Sequence, residues 1–316
     1  MSRVPSILSL SLLCACGTGG GSDLGSSDLA SQASVDLSSA ADLASMVAHD
    51  LSSSLDGGGC TLTAGTAATA VTSASGCAVL TRDTSACDAD RTAAGLAGYW
   101  RKFSCRVVLS KTMIGGVPHV QVVSDGRPDY LSNYFQSSDP CHEAYTGAIQ
   151  NPNFISAHSY VVPLPETPTV QTTTMNGTAV VGMALNGVPI FGNFAAPGDD
   201  IFQEAKTFDR CGAHPQMQGA YHYHGEPYSI TDDDSAFVGV LRDGYPVYGR
   251  RDEGGAMPTL DAQGGHTGTT VDSVTPVYHY HVNQQTSTAA GTSGQMQWFL
   301  TSGSFHGKPA MCNGCN

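Results

Sequence analysis

Val181-Gly182-Met183-Ala184-Leu185-Asn186-Gly187-Val188-Pro189-Ile190-Phe191-Gly192 recurs 57 residues later as Val238-Gly239-Val240-Leu241-Arg242-Asp243-Gly244-Tyr245-Pro246-Val247-Tyr248-Gly249, with five of the twelve positions identical. Each copy is an apolar run, an Asn-Gly or Asp-Gly pair, and a second apolar run led by Pro. Asn-Gly or Asp-Gly between apolar runs is a strong hairpin signal, because the tight turn demands residues that tolerate positive φ. Further on, Asp209, Gly212 and His214 fall on Asp261, Gly264 and His266 at an offset of 52. Tyr221-His222-Tyr223-His224 then falls on Tyr278-His279-Tyr280-His281, again at 57. Three matches in the same order make residues 181–224 and 238–281 duplicated halves, the second carrying five extra residues before its Tyr-His-Tyr-His.

The chain around these halves is rich in Thr, Val, Ser, Tyr and Gly and is broken by Pro and Gly at short intervals, which predicts many short strands. The expected strands are 105–109, 119–123, 159–162, 178–184, 189–191, 236–241, 246–248 and 277–282. Asp139 to Ala148 and Asp199 to Thr207 each read as a short helix or a turn. The expected class is mainly β, a sandwich or a distorted barrel.

Alternate side chains of a strand share a face, so His222 and His224 point one way and Tyr221 and Tyr223 the other. His279 and His281 repeat the arrangement. His214 or His266, each just after a Gly-x step, supplies a third nitrogen per half. Three imidazoles with an open position make a catalytic-type zinc or copper site, and four from paired strands make a closed one. Asp209 and Asp261 are the expected partners that orient an imidazole by accepting its other N–H. Six of the eleven histidines fall at equivalent places in this way, whereas His119, His142, His158 and His306 have no such partner and are read as structural. Copper and zinc are both compatible with the donor set.

The runs Ala184 to Gly192, Cys211-Gly212-Ala213-His214-Pro215 and Gly219 to His224, with Asp243 to Gly249, Gly265-His266 and Tyr278 to Val282, resemble the YHYH domain family. The resemblance covers roughly Cys105 to Asn283, fitting more loosely at Ser124 to Tyr130 and Asn151 to Asn153. It implies no reaction and no cofactor, so the metal expectation rests on the histidines.

Residues 1–16 have the layout of an export signal, with Arg3 followed by an apolar core too short to span a bilayer. Leu13-Cys14-Ala15-Cys16 resembles the lipobox of bacterial lipoproteins, which implies cleavage before Cys16 and lipidation of its sulfur; an ordinary secretory signal is the competing reading. Residues 17–58 are Gly, Ser, Ala and Asp with recurring Asp-Leu pairs and no aromatic residue, a composition that cannot offset its ordering entropy. As a flexible tether it would hold the domain at 59–316 about 35 Å from its anchor. The expected location is therefore the cell envelope, with contact to the membrane through the lipid anchor alone.

A net charge of −13 argues against nucleic acid as a partner. Setting aside Cys14 and Cys16, eight cysteines remain, an even number that predicts up to four disulfides in an oxidising compartment. Cys312-Asn313-Gly314-Cys315 has redox or zinc half-site spacing, but without a following helix or a second such pair it reads as structural. Three functions follow. The first is an exported metal-binding protein. The second is a metal-dependent hydrolase or oxidase on the same histidines, with Asp209, Asp261 or Glu226 as the acid–base group. The third is a carbohydrate- or protein-binding module that uses exposed tyrosines.

Overall fold

The computed structural model describes residues 76–77, 79, 82–175, 179–312 and 315. The export segment, the tether, Cys16 and Cys60 lie outside the described residues. Among the described residues no helix is long and apolar enough to cross a membrane.

A three-stranded antiparallel sheet comes first: β1 (Val108–Ile114), β2 (Val117–Ser124) and β3 (Tyr160–Pro165), in that order. β4 (Val170–Thr174) follows. The first half of the duplication supplies β5 (Val180–Ala184), β6 (Pro189–Phe191), β7 (Ala213–Pro215) and β8 (Tyr221–Tyr223). The second supplies β9 (Phe237–Leu241), β10 (Pro246–Tyr248), β11 (Gly265–Thr270) and β12 (Ser273–His281). β13 (Asn283–Thr286) pairs with β14 (Met296–Phe299), and β15 (Ser304–Gly307) with β4.

The two halves form one eight-stranded sheet in the order β7-β8-β6-β5-β9-β10-β12-β11. β5 and β9 meet antiparallel at its middle, with Met183 opposite Val240, Gly182 opposite Leu241 and Ala184 opposite Gly239. Met183 and Val240 are the same position in the two copies, so a local two-fold axis passes between them. The backbones approach so closely there that a Cβ on Gly239 would lie 2.3 Å from the Met183 carbonyl oxygen, and one on Gly182 2.7 Å from that of Val240. Only glycine fits at either position. β5 and β9 are buried along their whole length, which explains why they read as continuous apolar runs and not as alternating ones.

Both predicted hairpin turns form with the same bonds: Gly187 N–H donates to Ala184 O and Gly244 N–H to Leu241 O. The small sheet adds Val120, Val122, Val162 and Leu164 to the same core as Met183 and Val240. The class is mainly β, and the large sheet ends at β7 and β11 without closing, so the barrel alternative does not apply.

Several predicted boundaries move. The strand expected from Cys105 begins at Val108, because Cys105 is bonded to Cys87 and the buried Arg91 guanidinium takes the carbonyls of Ser104 and Val107. The strand expected from Val277 begins at Ser273, extended by pairing with β11. Ile201–Glu204 is a short helix, N-capped by Asp200, whereas Asp139 to Ala148 is turn and coil.

Cys77 is bonded to Cys211, Cys87 to Cys105 and Cys312 to Cys315, and Cys141 is also disulfide-bonded.

Candidate metal centres

β7 and β8 pair antiparallel with His214 directly opposite His222, and β11 and β12 pair with His266 opposite His279. Directly opposed residues share a sheet face, so the lone histidine of each half lands beside the two from Tyr-His-Tyr-His. The duplication therefore builds two trios, His214–His222–His224 and His266–His279–His281, each with its ligand nitrogens within 4.8 Å of one another. β8 and β12 are five strand spacings apart, about 24 Å along the sheet. The six histidines form two separate sites, not one shared site.

The first site is locked by hydrogen bonds at every Nδ1. His222 Nδ1 donates to Ala220 O at 2.8 Å and His224 Nδ1 to Gly192 O at 2.5 Å. Thr207 Oγ1 gives its proton to Glu204 O at 2.7 Å, so its lone pair accepts from His214 Nδ1 at 2.6 Å. A carbonyl can only accept, which assigns the proton of each ring to Nδ1 and leaves Nε2 as a bare lone pair. The Nε2 atoms of His222 and His224 face each other at 2.9 Å. Burial holds His214 and His222 well below the ordinary imidazole range and brings His224 down to about 4, because a charged ring would have to exist away from water.

The second site repeats the scheme at its two motif histidines. His279 Nδ1 donates to Val277 O at 3.0 Å and His281 Nδ1 to Gly249 O at 2.7 Å. Gly192 and Gly249 are the last residues of the repeated run that opened the sequence, so the same backbone carbonyl orients the same histidine in both copies. His266 Nε2 lies 3.2 Å from His281 Nε2. Burial lowers His279 and brings His281 to about 4.

A fourth residue, Asp252, joins the second site. Its Oδ1 is 2.9 Å from His266 Nε2, 3.8 Å from that of His279 and 3.4 Å from that of His281. Spacing does not mark it: at an offset of 57 it falls on Ala195, and at 52 on Asp200, whose carboxylate caps a helix. Its only sequence signal is an acidic residue in the loop between the Pro-led strand and the Gly-x-His step. In the first half that loop delivers Glu204, whose Oε2 stands farther off, 4.0 Å from His214 Nε2 and 3.9 Å from His224 Nε2.

The expected role of Asp209 and Asp261 is corrected. Their carboxylates hold tyrosines, not imidazoles. Asp209 accepts from Tyr221 Oη and Ser132 Oγ, both at 2.5 Å, and from the Cys211 and Ala213 N–H groups. Asp261 accepts from Tyr278 Oη at 3.0 Å and from the Gln263 and Gly265 N–H groups. The reason is the strand period: the loop aspartate lies on the face that the tyrosines take, opposite the histidines. The other motif tyrosines are held by the hairpin turns, Tyr223 Oη by Asn186 at 3.1 Å and Tyr280 Oη by Asp243 at 2.5 Å.

All four motif tyrosines are thus buried and hydrogen-bonded, which removes them as the exposed contact surface of a carbohydrate- or protein-binding module. Glu226, the other acid–base candidate, is fully buried and paired with Arg250 at 2.8 Å.

The family model described as YHYH protein matches residues 159–256. The chain carries a YHYH domain. The matched span of this YHYH domain takes in the first histidine trio and the hairpin of the second half, and it ends before Tyr278 to His281. No curated protein and no solved structure matches the chain.

Proposed function

We propose that the chain binds transition-metal ions, copper or zinc, in its two histidine trios, and that it works outside the cytoplasm, tethered to the cell envelope through lipid on Cys16. The observation that carries the metal reading is the pair of unprotonated Nε2 atoms 2.9 Å apart in a buried site whose Nδ1 protons are already committed to acceptors. Two lone pairs at that distance repel, and burial opposes a proton between them. A cation resolves both. A tetrahedral zinc with Zn–N near 2.05 Å sets its nitrogens about 3.3 Å apart, so the rings need open by only a few tenths of an ångström. Histidines that served packing alone would have no reason to turn every Nε2 to one point in both copies.

The test is elemental analysis of untagged protein alongside its double variants. Wild type should hold about two ions per chain, and His222→Ala/His224→Ala and His279→Ala/His281→Ala about one each. Metal at background level in wild type after incubation with copper and with zinc would sink the reading. The anchor is tested separately: Cys16→Ser should move the protein from the membrane fraction to the soluble one, and no change in fractionation would refute lipidation.

A further inference from the structure

Resting on that metal reading, we infer that the two sites take ions of different charge: His214, His222 and His224 hold monovalent copper, Cu(I), and His266, His279 and His281 with Asp252 hold a divalent ion of the zinc class.

The donor sets differ in charge. In the first site all three ligands are neutral imidazoles, each with its Nδ1 proton fixed by a carbonyl or by Thr207. The nearest carboxylate, Glu204, stands 3.9 Å or more from the two Nε2 atoms it approaches. In the second site Asp252 places an anionic oxygen within 3.8 Å of all three Nε2 atoms. A divalent ion there is half neutralised by its own ligand.

The walls differ in the same direction. Phe191 stacks on His222 with ring centroids 4.0 Å apart, and Phe208 lies parallel to His224 at 6.0 Å and edge-on to His214 at 5.1 Å. In the second copy Tyr248, in place of Phe191, stands edge-on to His279 at 5.4 Å, Leu260 replaces Phe208, and the side chain of His266 is 21% exposed against 7% for His214. The second site thus meets water through His266, whereas two phenyl rings cover all three imidazoles of the first.

The cost of moving an ion out of water rises with the square of its charge, so an un-neutralised divalent ion in the phenyl-walled site costs about four times what a monovalent one does. Cu(I) is also satisfied by few ligands, and imidazole suits copper. Loaded in this way, both sites carry the same net charge of +1: Cu(I) on three neutral rings, and a divalent ion on three neutral rings and one carboxylate.

The experiment loads the full untagged chain with Zn²⁺, and separately, without oxygen, with Cu(I) against a chromophoric Cu(I) chelator, and then with both ions together. Wild type should take up about one equivalent of each ion at once, without competition. His222→Ala should lose the Cu(I) equivalent and keep the zinc, and His279→Ala the reverse. Asp252→Asn should weaken zinc binding by about 100-fold with Cu(I) unmoved, whereas Glu204→Gln should leave both within about threefold. Copper K-edge absorption of the wild type, which needs no variant to fold, should show Cu(I) with three nitrogen scatterers. Two zinc equivalents of similar affinity in wild type, or Cu(I) lost with His279 and not with His222, would overturn this assignment while leaving metal binding intact. Neither ion bound by wild type would instead overturn the metal reading itself.

Discussion

Asp209 and Asp261 occupy the same place in the two copies, make nearly the same bonds, and differ in burial, so replacing each by Ala isolates what burial contributes. Asp209 is 5% exposed and Ser132 is fully buried. Removing the carboxylate leaves Ser132 Oγ–H and the Cys211 and Ala213 N–H groups without their acceptor, while Tyr221 Oη keeps Tyr130 at 3.0 Å. An unpaired buried donor costs about 1–3 kcal/mol, which gives about 3–9 kcal/mol for the three. Burial raises the Asp209 pKa, so deleting it also relieves a desolvated carboxylate, and the lower end is expected, about 3 kcal/mol. Asp261 is exposed, and water can replace it at Tyr278, Gln263 and Gly265, so Asp261→Ala should cost about 1 kcal/mol or less. The assay is equilibrium urea unfolding of the metal-free, disulfide-intact protein. Equal losses for the two variants would refute the argument that burial, and not the bond count, sets the strength of these struts.

Two further predictions follow from the same geometry. His224 titrates at about 4 in the folded chain against 6.5 for an ordinary imidazole, so as pH falls from 6.5 the unfolded chain takes the proton first and the folded state loses stability, a loss that levels off below about 4. His224→Gln should therefore shrink the stability lost by metal-free protein between pH 7 and pH 5 by about 2 kcal/mol; urea midpoints that shift with pH as in wild type would contradict it. The Cys77–Cys211 bridge closes a span of 134 residues and anchors the loop that carries His214. Replacing both cysteines by Ala should cost up to about 5 kcal/mol and weaken ion loading at the first site alone, a selectivity that metal titration would disprove if both sites weakened together.

Much of the site was legible in the sequence because it is written in short-range spacing. Asn186-Gly187 and Asp243-Gly244 announced two hairpins, and the alternation in Tyr-His-Tyr-His placed two imidazoles on one face before any fold was known. Repetition turned six histidines from background into two equivalent trios. The strand edges were less legible: Cys105 was expected to open a strand, but a buried arginine sixteen residues before Val107 claims the carbonyls that a ladder would have used.

The sequence by itself thus determined the duplication, the β class and the identity of all six histidines, since each depends on the local period of side chains and on patterns that survive copying. Only the tertiary structure decided that there are two sites, because their separation follows from where β5 meets β9 at Met183 and Val240, a pairing between strands 57 residues apart. It also decided which groups hold which: backbone carbonyls for the four motif histidines, Thr207 and Asp252 for His214 and His266, and the loop and turn residues Asp209, Asp261, Asn186 and Asp243 for the tyrosines. Asp252 entered in the same way. Its match at the same spacing, Asp200, caps a helix instead, so the role of an aspartate in this loop is set by a loop fold that no local spacing encodes.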